Sequence, residues 1–190
     1  MQRKVATAII ALISTCTSVH AQTWRIGDDQ PFRIHITDLP AARQKLILKS
    51  LEPNLLKRAE EFQDEPEEIE AIRKSLLLRN ISTPSGSLLL IQGWGLESCG
   101  AVGNCVVWVL GKSDQVLLTT VGNKMKILPK TNHGFPAIQM FEHISAFQSY
   151  LTWYSFDGFR YRAAACGVET YSDITRTYSP PLIERSPCRK

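Results

Sequence analysis

The chain has 190 residues, of which 22 are basic and 18 acidic, and 44% are hydrophobic, a composition typical of a globular domain. Two of the basic residues, Arg3 and Lys4, lie in a segment that we expect to be removed, which leaves an excess of two basic charges. So small a charge gives no electrostatic case for binding nucleic acid or an anionic membrane surface. We therefore predict no nucleic-acid partner.

The N-terminal segment has the parts of a secretory signal peptide. A basic start and an apolar stretch over residues 5–19 precede Ala21, a small residue that suits the cleavage point. The apolar stretch is too short to span a bilayer. We predict that residues 1–21 are removed and that residues 22–190 form a single domain, secreted or periplasmic, without a transmembrane segment.

Two modifications are left open by the sequence. Cys16 lies in a segment that faintly resembles the cleavage box of bacterial lipoproteins, although the threonine before it fits that box poorly. Asn80 opens a glycosylation sequon, which matters only in a eukaryotic source.

Residues 38–80 are highly charged and show helical periodicity. Asp38 can cap a first helix, Pro53 should break or restart it, and Asp64 can cap a second helix. The expected apolar stripes are Leu48, Leu51, Leu55, Ala59 and Phe62 on the first helix, and Ile69, Ile72 and Leu76 on the second. We expect these segments to form an N-terminal helical hairpin.

Residues 87–166 are rich in β-branched and aromatic side chains, with turn signals between apolar runs. Gly122-Asn123 and Asp157-Gly158 are typical of two-residue hairpin turns. The predicted strands are Leu88–Gln92, Val106–Leu110, Gln115–Val121, Lys124–Leu128, Ala137–His143, Tyr150–Phe156 and Phe159–Cys166, with a further one at Phe32–Ile36.

The predicted fold is therefore α+β. It is an antiparallel β meander of about six or seven strands with the N-terminal helical hairpin packed on one face or end. Residues 171–190 are rich in proline and predict an irregular tail, held by Cys188.

Four cysteines remain after the signal peptide: Cys99, Cys105, Cys166 and Cys188. Export favours disulfides, and four cysteines allow three pairings among which the sequence does not choose. Cys99 and Cys105 enclose a flexible loop that could easily close, whereas Cys166 with Cys188 would tie the tail to the last strand. The spacing of Cys99 and Cys105 does not suit a metal, so we predict neither a metal site nor a cofactor.

Trp94 lies between two glycines, five residues before the cysteine-enclosed loop. A rigid loop beside an aromatic side chain is typical of a binding edge, and core packing is the competing interpretation of Trp94. The predicted binding residues are Trp94, Gly100, Val102, Gly103 and Asn104.

The sequence lacks the H-E-x-x-H, G-x-S-x-G and phosphate-binding glycine motifs of common enzyme classes. A small hydrolase would need His133 or His143 as a base, with Asp157, Glu142 or Asp173 as the acidic partner. Glu142 and His143 are adjacent in a predicted strand, so their side chains should point to opposite faces.

Three motifs carry a resemblance to known proteins: Gly93-Trp94-Gly95, then Cys99-Gly100 to Gly103-Asn104-Cys105, then Phe156-Asp157-Gly158-Phe159-Arg160-Tyr161 with Cys166 after it. With them, residues 88–166 resemble a group of small exported bacterial proteins without an established activity. The resemblance implies export but no mechanism. A fainter resemblance is to periplasmic lysozyme inhibitors of the Ivy type, which present a short disulfide-closed loop to an enzyme cleft. The histidine of their loop has no counterpart in residues 100–104.

The leading hypothesis is an exported, non-enzymatic binding protein, an inhibitor or immunity-type partner of a cell-envelope enzyme. The alternatives are a small exported hydrolase with a histidine–carboxylate pair and a structural envelope protein without a discrete ligand. The oligomeric state stays open.

Overall fold

A computed structural model describes residues 22–25, 34–185 and 188. The predicted signal peptide with Cys16 lies outside the described residues, as do the first two residues of the predicted strand Phe32–Ile36. The helices are α1 (Ala41–Phe62), α2 (Pro66–Lys74) and α3 (Leu96–Cys99), and a 3-10 helix spans Ile36–Asp38. The strands are β1 (Gln22–Arg25), β2 (Ile34–His35), β3 (Leu77–Thr83), β4 (Gly86–Gln92), β5 (Cys105–Leu110), β6 (Val116–Gly122), β7 (Lys124–Asn132), β8 (Phe135–Ser145), β9 (Gln148–Phe156), β10 (Tyr161–Ser172), β11 (Thr177–Tyr178) and β12 (Leu182–Arg185).

The strands form two antiparallel sheets instead of one meander. Sheet I has five strands in the order β2-β3-β4-β5-β6. Sheet II has seven, in the order β1-β7-β8-β9-β10-β11, with β12 also paired to β10. The predicted fold is therefore wrong in its architecture, because the strands divide between two sheets and β1 and β2 precede the helices. Only the coarse assignment to a mixture of helices and antiparallel strands fits.

The two sheets are joined at a corner that consists of Asn123 alone. The strand before it, β6, belongs to sheet I, and the strand after it, β7, belongs to sheet II. The Asn123 N–H donates to the carbonyl oxygen of Phe141, at 2.8 Å. A Cβ on Gly122 would lie 2.4 Å from that oxygen, so glycine is needed there for close approach between strands. The predicted hairpin at Gly122-Asn123 is therefore wrong.

The helix α1 continues through Pro53, where the sequence predicted a break. Pro53 is exposed, whereas Ile47, Leu51 and Leu55 of the same helix are fully buried. An interior proline costs a helix about 3 kcal/mol, and each buried aliphatic side chain contributes roughly 1.5–3 kcal/mol. The three buried side chains together therefore outweigh the proline.

The two predicted helix caps have other partners. The Asp38 carboxylate accepts the backbone N–H of His35, the N-cap of the 3-10 helix, at 3.1 Å. Asp64 pairs with Arg58 at 3.1 Å, and the N-cap of α2 is Glu65 instead.

Among the described residues, the buried hydrophobic side chains form two cores, one on each face of sheet I. The first lies between sheet I and the helices, and the second lies between the two sheets. The first core comprises Ile36, Ile47, Leu51, Leu55, Ile69, Ile72, Leu76, Leu78, Ile91, Val106, Trp108 and Leu110. The second comprises Ile81, Leu88, Leu90, Val107, Val109, Leu117, Leu118, Met125, Ile127, Ile138, Met140, Phe156 and Tyr161. Alternate residues of β5 thus enter different cores, which confirms that this strand is covered on both sides.

Candidate functional site

The described cysteines form two disulfides, Cys99–Cys105 and Cys166–Cys188. Within the described ranges, no helix is long and apolar enough to cross a membrane. The disulfides are compatible with an exported, disulfide-bonded protein. Nor do the described histidine, cysteine and acidic side chains include a group of three that could hold a metal ion.

The segment from Cys99 to Cys105, called here the stapled loop, connects two regular elements. Cys99 is the last residue of α3, and Cys105 is the first residue of β5. The disulfide therefore ties the end of a short helix to the start of a central strand. Between them, Gly100 and Gly103 are exposed.

Asn104 fastens the stapled loop to sheet II. Its amide nitrogen donates to the carbonyl oxygen of His143 at 2.9 Å, and its amide oxygen accepts the backbone N–H of His143 at 2.8 Å. The amide of Asn123, the corner residue, donates to Nε2 of the same histidine. The stapled loop is thus held by the Cys99–Cys105 disulfide and by the two hydrogen bonds between Asn104 and His143.

Trp94 lies in the segment that leads from β4 into α3. A Cβ on Gly93 would lie 2.2 Å from the Cβ of Ser98, so glycine is required for α3 to fold back on this segment. The side chain of Trp94 is 37% exposed and belongs to neither core. Leu96 and Val102 are 77% and 61% exposed. These three residues, Trp94, Leu96 and Val102, are called here the loop surface.

Two side-chain contacts join α3 to α1 and to the end of α2. The Arg58 guanidinium, on α1, donates to the carbonyl oxygen of Glu97 at 2.8 Å. The hydroxyls of Ser75 and Ser98 lie 3.3 Å apart. Neither contact was predicted, because each joins positions more than twenty residues apart, and no local pattern marks such a pair. Leu96 was missed as well, since a single exposed leucine carries no signal in a sequence.

The two histidines of the hydrolase hypothesis, His133 and His143, are exposed. Cross-strand pairing places Glu142 opposite Tyr150 and His143 opposite Ser149, so the two neighbours point to opposite faces of sheet II, as predicted. Among the residues that the structure describes, no histidine forms a salt bridge with a carboxylate. His133 lies in a turn beside Gly158.

Asp157 holds the turn between β9 and β10. Its Oδ1 accepts the backbone N–H groups of Phe159 and Arg160 at 2.9 and 2.8 Å, and its Oδ2 accepts Nε of Arg162 at 2.9 Å. These hydrogen bonds, first that from the Arg160 N–H, hold the pKa of Asp157 well below its usual range. A carboxylate so committed to its turn is poorly placed to accept a proton from a substrate. Asp173, the remaining acid of that hypothesis, is exposed.

The arrangement around the stapled loop is therefore suited to contact with another molecule. Comparison with family models, with curated proteins and with solved structures returned no match to this chain.

Proposed function

We propose that this chain is an exported, non-enzymatic binding protein, secreted or periplasmic. On this proposal it recognises another envelope or extracellular protein through the loop surface, as an inhibitor or immunity-type partner of a cell-envelope enzyme. The proposal concerns the residues predicted from the sequence, Trp94 and the loop from Gly100 to Asn104, with Leu96 added by the structure.

The observation that carries the proposal is the combination of a fixed loop backbone with exposed apolar side chains. A disulfide and the two hydrogen bonds of Asn104 restrain the loop, so little conformational entropy remains to be lost on binding. Tryptophan is enriched among residues that dominate binding energy, and Trp94 is partly exposed beside that loop.

The test is affinity capture from an envelope extract of the source organism, followed by titration with the purified captured protein. Trp94→Ala should weaken binding by about 30-fold or more, the effect of losing a residue that contributes about 2 kcal/mol. Val102→Asp should also abolish capture, because it places a charge within the apolar surface.

The matched control is Ile174→Asp, which introduces the same charge at an exposed position in the turn between β10 and β11. It should bind like the natural chain. Urea denaturation of each variant would show that the fold is retained. Capture that withstands both loop substitutions in folded protein would refute the proposal.

A further inference from the structure

Three turns, from both sheets, meet at the end of the molecule opposite to the stapled loop, and this region is called here the turn end. The turns join β3 to β4, β7 to β8 and β9 to β10. His143, which holds Asn104 of the stapled loop, lies roughly 25 Å further along β8 than Phe135, the first residue of that strand. The turn end is therefore a surface separate from the loop surface.

Contacts between the three turns fix their positions. The Ser85 hydroxyl, in the β3–β4 turn, donates to the carbonyl oxygen of His133, in the β7–β8 turn, at 3.4 Å. A Cβ on Gly134 would overlap that hydroxyl, so glycine permits the close approach of the two turns. The Asn132 amide donates to the carbonyl oxygen of Phe156 at 2.8 Å, which joins the second turn to the third. The three turns thus form one restrained surface.

The β9–β10 turn presents a large apolar side chain to solvent. Phe159 is 87% exposed and belongs to neither core. The Asp157 carboxylate accepts the backbone N–H groups of Phe159 and Arg160, so the backbone that carries the phenyl ring is already ordered. Aromatic residues and arginine are enriched where proteins contact each other. An aromatic side chain on an ordered backbone has little conformational entropy left to lose on binding.

The turn end is also cationic. Strands β3, β4, β7 and β9 contain no acidic residue, and the acids of β8 and β10, Glu142 and Glu169, lie toward the other ends of those strands. Asp157, the one acidic residue in the three turns, has both oxygens engaged, Oδ2 by Arg162. Arg160 is exposed, and within the described ranges its guanidinium contacts no carboxylate. The charge of Arg160 is therefore complementary to an acidic partner.

We propose that the turn end binds an acidic protein partner, with Phe159 inserted into an apolar pocket and Arg160 paired with a carboxylate at the rim of that pocket. Burial of the phenyl ring would supply most of the affinity, and the ion pair would select the partner and speed association. A small anion could pair with Arg160 but would leave Phe159 in water, so a protein fits the two observations better. The inference does not depend on the proposed function of the loop surface.

The test begins with photo-crosslinking from the turn itself. The mature protein with Phe159→p-benzoylphenylalanine is added to an envelope extract of the source organism and irradiated, and the crosslinked protein is identified by mass spectrometry. The crosslinked segment of that protein should contain aspartate or glutamate beside apolar residues. The matched control is Phe147→p-benzoylphenylalanine, which carries the same probe at a 49% exposed phenylalanine in the turn between β8 and β9. The control should not capture the same protein.

Calorimetric titration with the purified partner then tests the two contacts separately. Phe159→Ala should weaken binding about 30-fold, Arg160→Gln about fivefold, and Arg160→Glu by a larger factor than Arg160→Gln. Added salt should weaken binding of the natural chain, because it screens the ion pair. Arg176→Glu reverses an exposed charge in the turn between β10 and β11 and should change nothing, as should Trp94→Ala on the loop surface.

Urea denaturation of each variant would show that the fold is retained, as expected for substitutions outside both cores. Absence of a crosslink at position 159 would overturn the proposal, as would an affinity that is indifferent to Phe159→Ala or Arg160→Glu in folded protein. Crosslinking to a second copy of this chain would overturn it too. So would Phe159-dependent flotation of the protein with vesicles of phosphatidylglycerol, because the turn end would then bind lipid instead.

Discussion

Replacing Asn104 by alanine should loosen the stapled loop without disturbing either core. The substitution removes both hydrogen bonds to the backbone of His143, which measure 2.9 and 2.8 Å. A net contribution of about 0.5–1.5 kcal/mol for each bond, reduced because water can reach this half-buried position, gives a loss of about 1–2 kcal/mol. For a chain of this size, each kilocalorie corresponds to roughly 2–4 °C in Tm.

The assay is urea denaturation at pH 7, with hydrogen exchange at the His143 amide as a local readout. We expect a lower urea midpoint with an unchanged slope, and faster exchange at His143. The control is Asn80→Ala, an exposed asparagine on β3, which should change stability by less than about 0.5 kcal/mol. If Asn104→Ala matched this control and His143 stayed protected, the loop would not be held as described.

Two further predictions concern the β9–β10 turn and the core between the sheets. Asp157→Asn should destabilise the protein at pH 7, since the lowered pKa of Asp157 means that the ionised carboxylate stabilises the folded state. That advantage is present above the unfolded pKa of about 3.9 and is lost as pH falls toward the folded value, so the gap between the two urea midpoints should shrink below about pH 4. A gap that is constant from pH 7 to pH 3 would contradict this reasoning. Tyr161→Phe should cost about 0.5–1.5 kcal/mol, because it removes the hydrogen bond that the buried Tyr161 hydroxyl donates to the Pro136 carbonyl oxygen at 3.0 Å. Thermal denaturation would measure the loss, and an unchanged Tm would show that the hydrogen bond contributes nothing.

Local chemistry was enough to predict some elements of the fold. The hairpin at Asp157-Gly158 is confirmed in position, because it depends on the aspartate accepting nearby N–H groups, but its connection has four residues, 157–160, and not the predicted two. The strand Val106–Leu110 is confirmed because an unbroken apolar run needs cover on both faces. The stapled loop could also be located from its cysteines, although its pairing could not.

Other elements depend on contacts between distant residues. Gly122-Asn123 has the composition of a hairpin turn, yet the approach of Phe141 makes it a corner. The strand β3 was assigned to the helical region, since Leu77 and Leu78 follow a charged helix without a turn signal. The tail strand β12 depends on pairing with β10, a partner that no local pattern specifies.

The partner of Asn104 shows the same limit within the site. The residue itself was predicted, because it lies in the cysteine-enclosed loop. Its contact with His143 spans 39 positions and exists only after sheets I and II have met at the corner. Sequence could therefore place the loop in the chain but not against the surface that holds it.

Dividing the gene at Asn123, the single-residue corner, would put the strands on either side of it, β6 of sheet I and β7 of sheet II, on separate fragments. A break there would give an N-terminal fragment with β6 and Asn104 and a C-terminal fragment with β10 and His143. Each fragment would carry half of the stapled-loop attachment, as well as one uncovered face of the core between the sheets. The loop surface lies in the N-terminal fragment, but its attachment to His143 would form only when the fragments reassembled, so split halves of this protein should regain full binding on complementation.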